Sequence, residues 1–405
     1  MVEGMMGLLI AALASVSVLS LVVVVHEFGH FIVARRCGVA VKSFSLGWGS
    51  PLISRTDRHG TVWKVSQIPI GGFVSFLDDA DPTSSRPAPE NLRDLDPQEA
   101  RRRGYLRAQS VGVRAMISAA GPLVNFLFAL VAFALLAMIV GKDVTDTASL
   151  SPRIDVVRAD GPAEVAGLAA GDVVVAIDGV AVGSFGSMQK AVQSSPGKTL
   201  TLEVRREGEH LDFPVSIGRQ KLVGATGIES EIGLLGVERR TAREEIQIKR
   251  LNPLEALGEG AGRVWGMIAQ TGQYLGNLFT GRASSEHIMG PLGIFDVSGK
   301  VANGALAEKA PLATVMGNLA LSLLNWAAAL SVAVGFANLL PIPALDGGQL
   351  VLNGIEAIRR KPLSARAQEI GFQASFAMIV SLFLFATWND LQRFKLLEFV
   401  GRILS

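Results

Sequence analysis

Four stretches of this chain run without a charged side chain for long enough to cross a lipid bilayer, and they constrain the fold before anything else does. They extend from Gly4 to Val25, Ala115 to Gly141, Ala310 to Leu345 and Ile370 to Asn389. About 20 apolar residues span the hydrocarbon core as a helix. Hydrocarbon offers no partner to backbone amides, so a spanning segment must satisfy them internally. The third stretch is longer than one span requires. Charged residues make up 18% of the chain, against about a quarter in soluble domains. The chain therefore reads as a multi-pass α-helical membrane protein with four transmembrane helices, covering residues 1–36, 112–141, 310–350 and 368–390.

Charge sets the expected orientation. Thirteen Lys and Arg lie between Arg35 and Arg114, and none precedes Arg35. Basic loops stay on the cytoplasmic side, which predicts a cytoplasmic segment at 37–111, with the N-terminus and residues 142–309 outside. Arg359, Arg360 and Lys361 mark a second cytoplasmic loop; Arg393, Lys395 and Arg402 mildly oppose an external C-terminus. The first stretch lacks a basic leader and a cleavage site, so it reads as a retained span rather than a signal peptide. A net charge of +2 with no basic, aromatic-interleaved cluster argues against nucleic-acid binding. The single cysteine, Cys37, excludes an internal disulfide and a thiolate-rich zinc site.

Between the spans, residues 41–77 alternate apolar and polar positions around Gly and Pro, which predicts short strands or a membrane-associated β-hairpin. Residues 78–104, rich in Asp, Pro, Ser and Arg, read as a mobile linker. Residues 148–240 mix strand-like runs such as DVVVAIDGVAV with one helical stretch, SMQKAVQSS, and predict a small mixed α/β domain. Residues 250–309 read as amphipathic helix broken by Gly and lying against the bilayer.

His26, Glu27 and His30 form H-E-x-x-H at the end of the first span. Residues four apart share a helix face, so both imidazoles reach one metal, with Glu27 beside them as a base. Ionisable groups at membrane depth are costly and mark function. A catalytic zinc takes three protein ligands and one water. His59, His210 and His287 lie outside the spans, whereas Asp346 closes the third stretch in NLLPIPALDGG. Pro341 and Pro343 break a helix there, and Gly347 and Gly348 permit unusual backbone angles. Asp346 is thus the expected third ligand, although it also suits the start of a loop. The zinc would lower the pKa of its water to about 7, and that water would attack the peptide carbonyl with Glu27 as general base. Asn338 and Asn125 are candidate substrate-positioning or oxyanion donors, or else helix–helix hydrogen bonds.

Taken together, HEFGH at 26–30, GPLVN at 121–125, PIGGFVSF at 69–76 and NLLPIPALDGG at 338–348 resemble the site-2 protease family of intramembrane zinc metalloproteases (peptidase M50), in its RseP-like bacterial branch. Phe73 stands where that family commonly has Tyr. The resemblance covers nearly the whole chain. It implies one Zn2+ per chain on His26, His30 and Asp346, and an added substrate strand at Gly71, Gly72 and Phe73. Residues 161–182 resemble a PDZ domain in permuted form, with Gly233, Leu234, Leu235 and Gly236 as its peptide loop; there is room for one such domain. The implied activity is regulated intramembrane proteolysis of single-span membrane proteins in the bacterial inner membrane, with the active site near the cytoplasmic side. The implied substrates are anti-sigma factors already cut by a site-1 protease, and remnant signal peptides. The competing readings are an inactive PDZ-containing membrane scaffold and a metal-ion transporter.

Overall fold

The computed structural model describes residues 2–78, 96–146, 150–224, 226–240, 242, 245–361 and 364–393. In chain order the first elements are α1 (Val2–Arg36), β1 (Val41–Thr56), β2 (Val62–Phe76), α2 (Pro97–Arg102) and α3 (Val111–Ile139). Small strands follow: β3 (Lys142–Asp143) and β4 (Val156–Val157), then α4 (Pro162–Val165), β5 (Val173–Ile177), β6 (Val180–Ala181) and α5 (Phe185–Gln193). Next come β7 (Thr199–Arg206), β8 (Glu209–Ser216), β9 (Gly218–Val223), β10 (Glu229–Leu234), β11 (Val237–Glu238) and β12 (Ile248–Lys249). The chain closes with α6 (Pro253–Phe279), α7 (Pro291–Leu306), α8 (Leu312–Asn338), α9 (Asp346–Arg359) and α10 (Ala365–Arg393). Helices α1, α3, α8 and α10 are long and apolar enough to cross a membrane. The described residues divide into two compact units, one within Met1–Leu136, Pro253–Ala269 and Glu286–Ser405, the other within Ala137–Asn252 and Gln270–Ser285.

The first unit is built on small residues that let helices approach closely, the usual device where lipid removes the hydrophobic drive for packing. On α3, Ala129, Ala132 and Phe133 pack against Ala328 and Val332 of α8. Val18 and Val22 of α1 pack against Ala327 and Leu330 of α8. A Cβ on Gly29 of α1 would stand 2.5 Å from the Ala120 carbonyl of α3, and one on Gly260 of α6 equally close to the Leu130 carbonyl. Helix α6 passes through Gly258, Gly260, Gly262, Gly266, Gly272 and Gly276 without interruption, and the helical region is broken instead between α6 and α7, at Gly281, whose φ is 70°, and Gly290, the N-cap of α7. Near the end of α10, buried Asp390 accepts from the Gly290 and Gly293 amides at the start of α7 (3.2 and 2.8 Å), which satisfies two of that helix's unpaired donors.

The segment after α1 is not a set of short strands. It is two long strands, paired antiparallel from Val41↔Phe76 to Thr56↔Val62. Ser43–Leu46 of β1 take a second set of partners, Val62–Val65, with numbers rising together. The hairpin therefore curls so that the first part of β1 lies between the two parts of β2. The bend falls at Gly47, whose φ is 80° and whose missing side chain admits the Ile68 carbonyl. Phe44 and Trp63 of the hairpin meet Phe31 of α1, with centroids 4.9–5.5 Å apart. Arg35 binds Asp57 at 2.7 Å. Of the expected linker, residues 79–95 lie outside the described residues. Residues 97–102 are helical, with Asp96 capping the Glu99 amide, so the linker reading is corrected there.

The second unit has a four-stranded antiparallel sheet in the order β6-β5-β7-β8. Its core joins Ile154, Val174, Leu202, Val204 and Val215 to Met188 and Val192 of α5. Buried Asp172 takes both forks of Arg206 (2.7 and 2.8 Å) and the Ala169 amide. Burial pushes the Asp172 carboxyl up, but the Arg206 and Ala169 hydrogen bonds outweigh it and hold the group below the ordinary carboxylate range.

Two outcomes follow from these contacts. Arg114 at the start of α3 binds Glu356 of α9 at 2.6 Å, each side chain about a fifth exposed. Arg114→Glu or Glu356→Arg alone should lower stability by about 1–3 kcal/mol, and the double swap should recover most of it in thermal unfolding in detergent. A carboxyl lowered by folding stabilises above its unfolded pKa and loses that contribution as pH falls through its folded value. Hydrogen-exchange protection of β5 and β7 should thus drop as pH falls below about 4, beyond the intrinsic rate change. In Asp172→Asn it should already be lower at neutral pH and show no such drop.

Candidate metal centre

Three elements bring the polar groups together. His26, Glu27 and His30 lie on α1, and the imidazoles meet edge to face, with centroids 4.8 Å apart. Helix α8 ends at Asn338, and the chain through Pro341 and Pro343 is not helical until α9 begins at Asp346, with Leu345 as its N-cap. Asp346 therefore starts a helix rather than finishing a span. Its Oδ2 lies 3.1 Å from Nε2 of His26 and 3.4 Å from Nε2 of His30. The two Nε2 atoms are 3.2 Å apart.

The hydrogen-bond partners say what these atoms can offer. Nδ1 of His30 is 2.8 Å from the Ile117 carbonyl of α3. A carbonyl only accepts, so that nitrogen carries the hydrogen and a neutral His30 turns a bare lone pair inward from Nε2. Asp346 Oδ2 is buried and has no donor of its own. With His26 in the same tautomer, three lone pairs would face one another across about 3 Å and would need a cation among them. Tetrahedral zinc with bonds near 2.0–2.1 Å sets its ligand atoms about 3.3 Å apart, and the three edges of this triangle match that spacing. The donor set thus fits a divalent metal. Among the described residues, no other group of His, Cys, Asp and Glu offers three such atoms.

The surroundings are shaped to the pair of imidazoles. A Cβ on Gly121 of α3 would collide with Nε2 of His30 and, at 2.7 Å, with Cε1 of His26. Glu27 accepts from the Val74 amide of β2 at 3.0 Å, which ties its carboxylate to the hairpin. Asn125 is fully buried, with Nδ2 3.3 Å from Nδ1 of His26, on the side of that ring away from Asp346. Asn338 donates to its own helix at the Val334 carbonyl, 3.1 Å away. Gly71 and Gly72 lie on β2, where Phe73 stacks against Trp48 at 5.1 Å. In the second unit, Leu235 is buried and its carbonyl accepts from Ala163, while Gly236 adopts φ 78° and Gly233 packs against the Val192 carbonyl.

The roles of Ile117, Gly121 and Val74 were not evident from sequence. Two of the three act through backbone atoms, which every residue carries. Gly121 lies in the GPLVN motif at 121–125, and spacing adds Ile117 to it: 117, 121 and 125 recur every four residues and so line one face of α3.

Residues 14–382 match the profile of Peptidase family M50. The chain is 38% identical over 373 residues to a protein of Rhizobium meliloti named as a zinc metalloprotease, covering 92% of this chain and 94% of that one. It is 37% identical over 411 residues to metalloprotease MmpA of Caulobacter vibrioides, covering 99% and 100%. It is 29% identical over 468 residues to the regulator of sigma-E protease RseP of Escherichia coli, covering 93% and 97%. With the match spanning the helices that carry HEFGH, GPLVN and Asp346, the chain belongs to Peptidase family M50 and is a metalloprotease.

Proposed function

We propose that this protein is a zinc-dependent endopeptidase that cuts single-span membrane proteins at or within the bilayer. The observation that carries the reading is the triangle of Nε2 of His26, Nε2 of His30 and Oδ2 of Asp346, each 3.1–3.4 Å from the other two. These residues would hold one zinc ion per chain. Bound there, the metal supplies an acidified water and polarises a peptide carbonyl. Glu27 takes the proton from the attacking water and later returns it to the leaving nitrogen. Its bond to the Val74 amide fixes where that carboxylate starts.

A peptide bond inside a helix hides its carbonyl, so a transmembrane substrate must unwind before attack. The β2 edge at Gly71–Phe73 supports this step, because an extended peptide can add there as a strand. The Val74 amide already points outward from the ladder toward Glu27, so this edge borders the reacting groups. Asn338 meets the substrate oxyanion once its amide leaves the Val334 carbonyl. Anti-sigma factors shortened beforehand by another protease are the substrate class, on the strength of the similarity to the sigma-E regulator. The second unit acts as a PDZ domain on the external side, with Gly233–Gly236 as its peptide loop, and the metal lies toward the cytoplasmic face of the inner membrane.

A reconstituted assay with a tagged single-span substrate tests the reading. Glu27→Gln should lower cleavage by a factor on the order of 10² to 10⁴ while zinc remains bound. His26→Ala and Asp346→Asn should lose both zinc and cleavage, and a chelator should stop the wild type until zinc is restored. Cleavage by Glu27→Gln at the wild-type rate would overturn the mechanism. Gly121→Ala places a methyl against both imidazoles, so it should weaken zinc binding, read by chelator competition, more than it lowers the unfolding temperature of the metal-free protein.

A further inference from the structure

The two imidazoles are backed by the same face of α3, but only one has its hydrogen settled. His30 Nδ1–H donates to the Ile117 carbonyl, which leaves its Nε2 free for a ligand bond. His26 Nδ1 faces the Asn125 side chain at 3.3 Å through Nδ2. In that orientation the amide donates, His26 Nδ1 accepts, and the hydrogen of a neutral ring is pushed to Nε2. It would then point into the triangle toward Asp346 Oδ2 and His30 Nε2, where it occupies the position a metal bond from Nε2 would need. The same orientation leaves Asn125 Oδ1 buried without any partner. An orphaned buried acceptor costs about 1–3 kcal/mol.

Turning the amide by half a rotation exchanges two atoms of nearly equal size. Oδ1 then accepts from His26 Nδ1–H, the oxygen is no longer orphaned, and Nε2 presents its lone pair inward. We propose that Asn125 is a positioning residue that fixes the hydrogen of His26 on Nδ1 and so prepares Nε2 to bind the metal, an inference that rests on the metal site proposed above. Its task is the one the Ile117 carbonyl performs for His30. Ligating imidazoles commonly donate their other N–H in this way. The Asn125 backbone is itself held: its carbonyl accepts from Ser331 Oγ of α8 at 3.1 Å, and Gly335 of α8 leaves room for its Cβ. Because the side chain is fully buried, it has no route to a substrate carbonyl.

The test compares zinc affinity of the full chain in detergent, by competition with a chromogenic chelator, for wild type, Asn125→Leu and Asn125→Asp. Leu matches the shape without polar atoms, and Asp offers acceptors in the same place. Asn125→Leu should bind zinc about 10–100-fold more weakly, while Asn125→Asp stays within a few-fold of wild type. Wild-type affinity in Asn125→Leu would overturn the proposal, as would a loss in Asn125→Asp as large as that in Asn125→Leu. Thermal unfolding of the metal-free proteins checks that each variant folds. If Asn125→Leu does not, Asn125→Asp decides alone: retained affinity supports the acceptor role, and lost affinity overturns it. A wild type that binds no zinc, or a His26→Ala variant that still binds it, would sink the metal site itself rather than the role of Asn125.

Discussion

Two ring nitrogens and a carboxylate oxygen converge to within 3.1–3.4 Å of one another away from bulk water, and much of the membrane-embedded unit is organised to hold that arrangement. His26 and His30 come from one helix, but Asp346 arrives from a separate segment more than three hundred residues later. The convergence of these groups away from water carries a desolvation cost. It must be held by packing elsewhere: Gly29 against Ala120, Val22 against Ala327 and Leu330, Arg114 against Glu356. Helix α3 is the pivot. It touches α1 through small residues and α8 through Ala129, Ala132 and Phe133, and it hands both imidazoles their outer hydrogen-bond partners.

The same logic links the hairpin to the chemistry. An isolated two-stranded ribbon is marginal in water. Here Phe31, Phe44 and Trp63 join it to the last turns of α1, and Trp63 Nε1 and Arg35 share the Asp57 carboxylate. The distance between Glu27 and Val74 is therefore set by aromatic packing one to two helical turns away. A strand edge fixed in this manner holds its backbone in a defined register relative to Glu27, which a free loop could do only at the cost of its ordering entropy.

What the sequence disclosed followed the strength of each physical signal. The spans were plain because long uncharged runs have few other uses, and the helices α1, α3, α8 and α10 carry them. The hairpin's strand character was visible in TVWKVSQIPIGGFVSF, but its length and curl were not. They depend on Ser43–Leu46 pairing twice, which no alternation of residues encodes. The region 250–309 is broken by glycine as its sequence suggests, at Gly281 and Gly290, but not at the glycines inside α6, each of which costs about 1 kcal/mol in an isolated helix. In place, Gly260 is used for close approach to α3, and packing overrides propensity. At the centre, HEFGH named its residues outright, yet how near Asp346 comes to them is a product of tertiary packing. Ile117 and Val74 act through a carbonyl and an amide, so side-chain identity carried no trace of them.

The break after α8 shows how much one short segment can accomplish. Pro341 and Pro343 withdraw two amide donors, so the helix does not continue past this point. The chain then folds back so tightly that a Cβ on Gly347 would run into the Leu339 and Leu340 carbonyls, and one on Gly348 into the Ile342 carbonyl. Only residues without side chains permit that return, and it is what sets the first turn of α9 beside α1. Asp346 then occupies a helix N-terminus, where the unpaired amides and the helix dipole favour a negative charge. A carboxylate needed deep in the fold, and costly there, is thus offset in part by the geometry of its own helix. A side chain at 347 or 348 would lift α9 away, and with it the one ligand that α1 cannot supply.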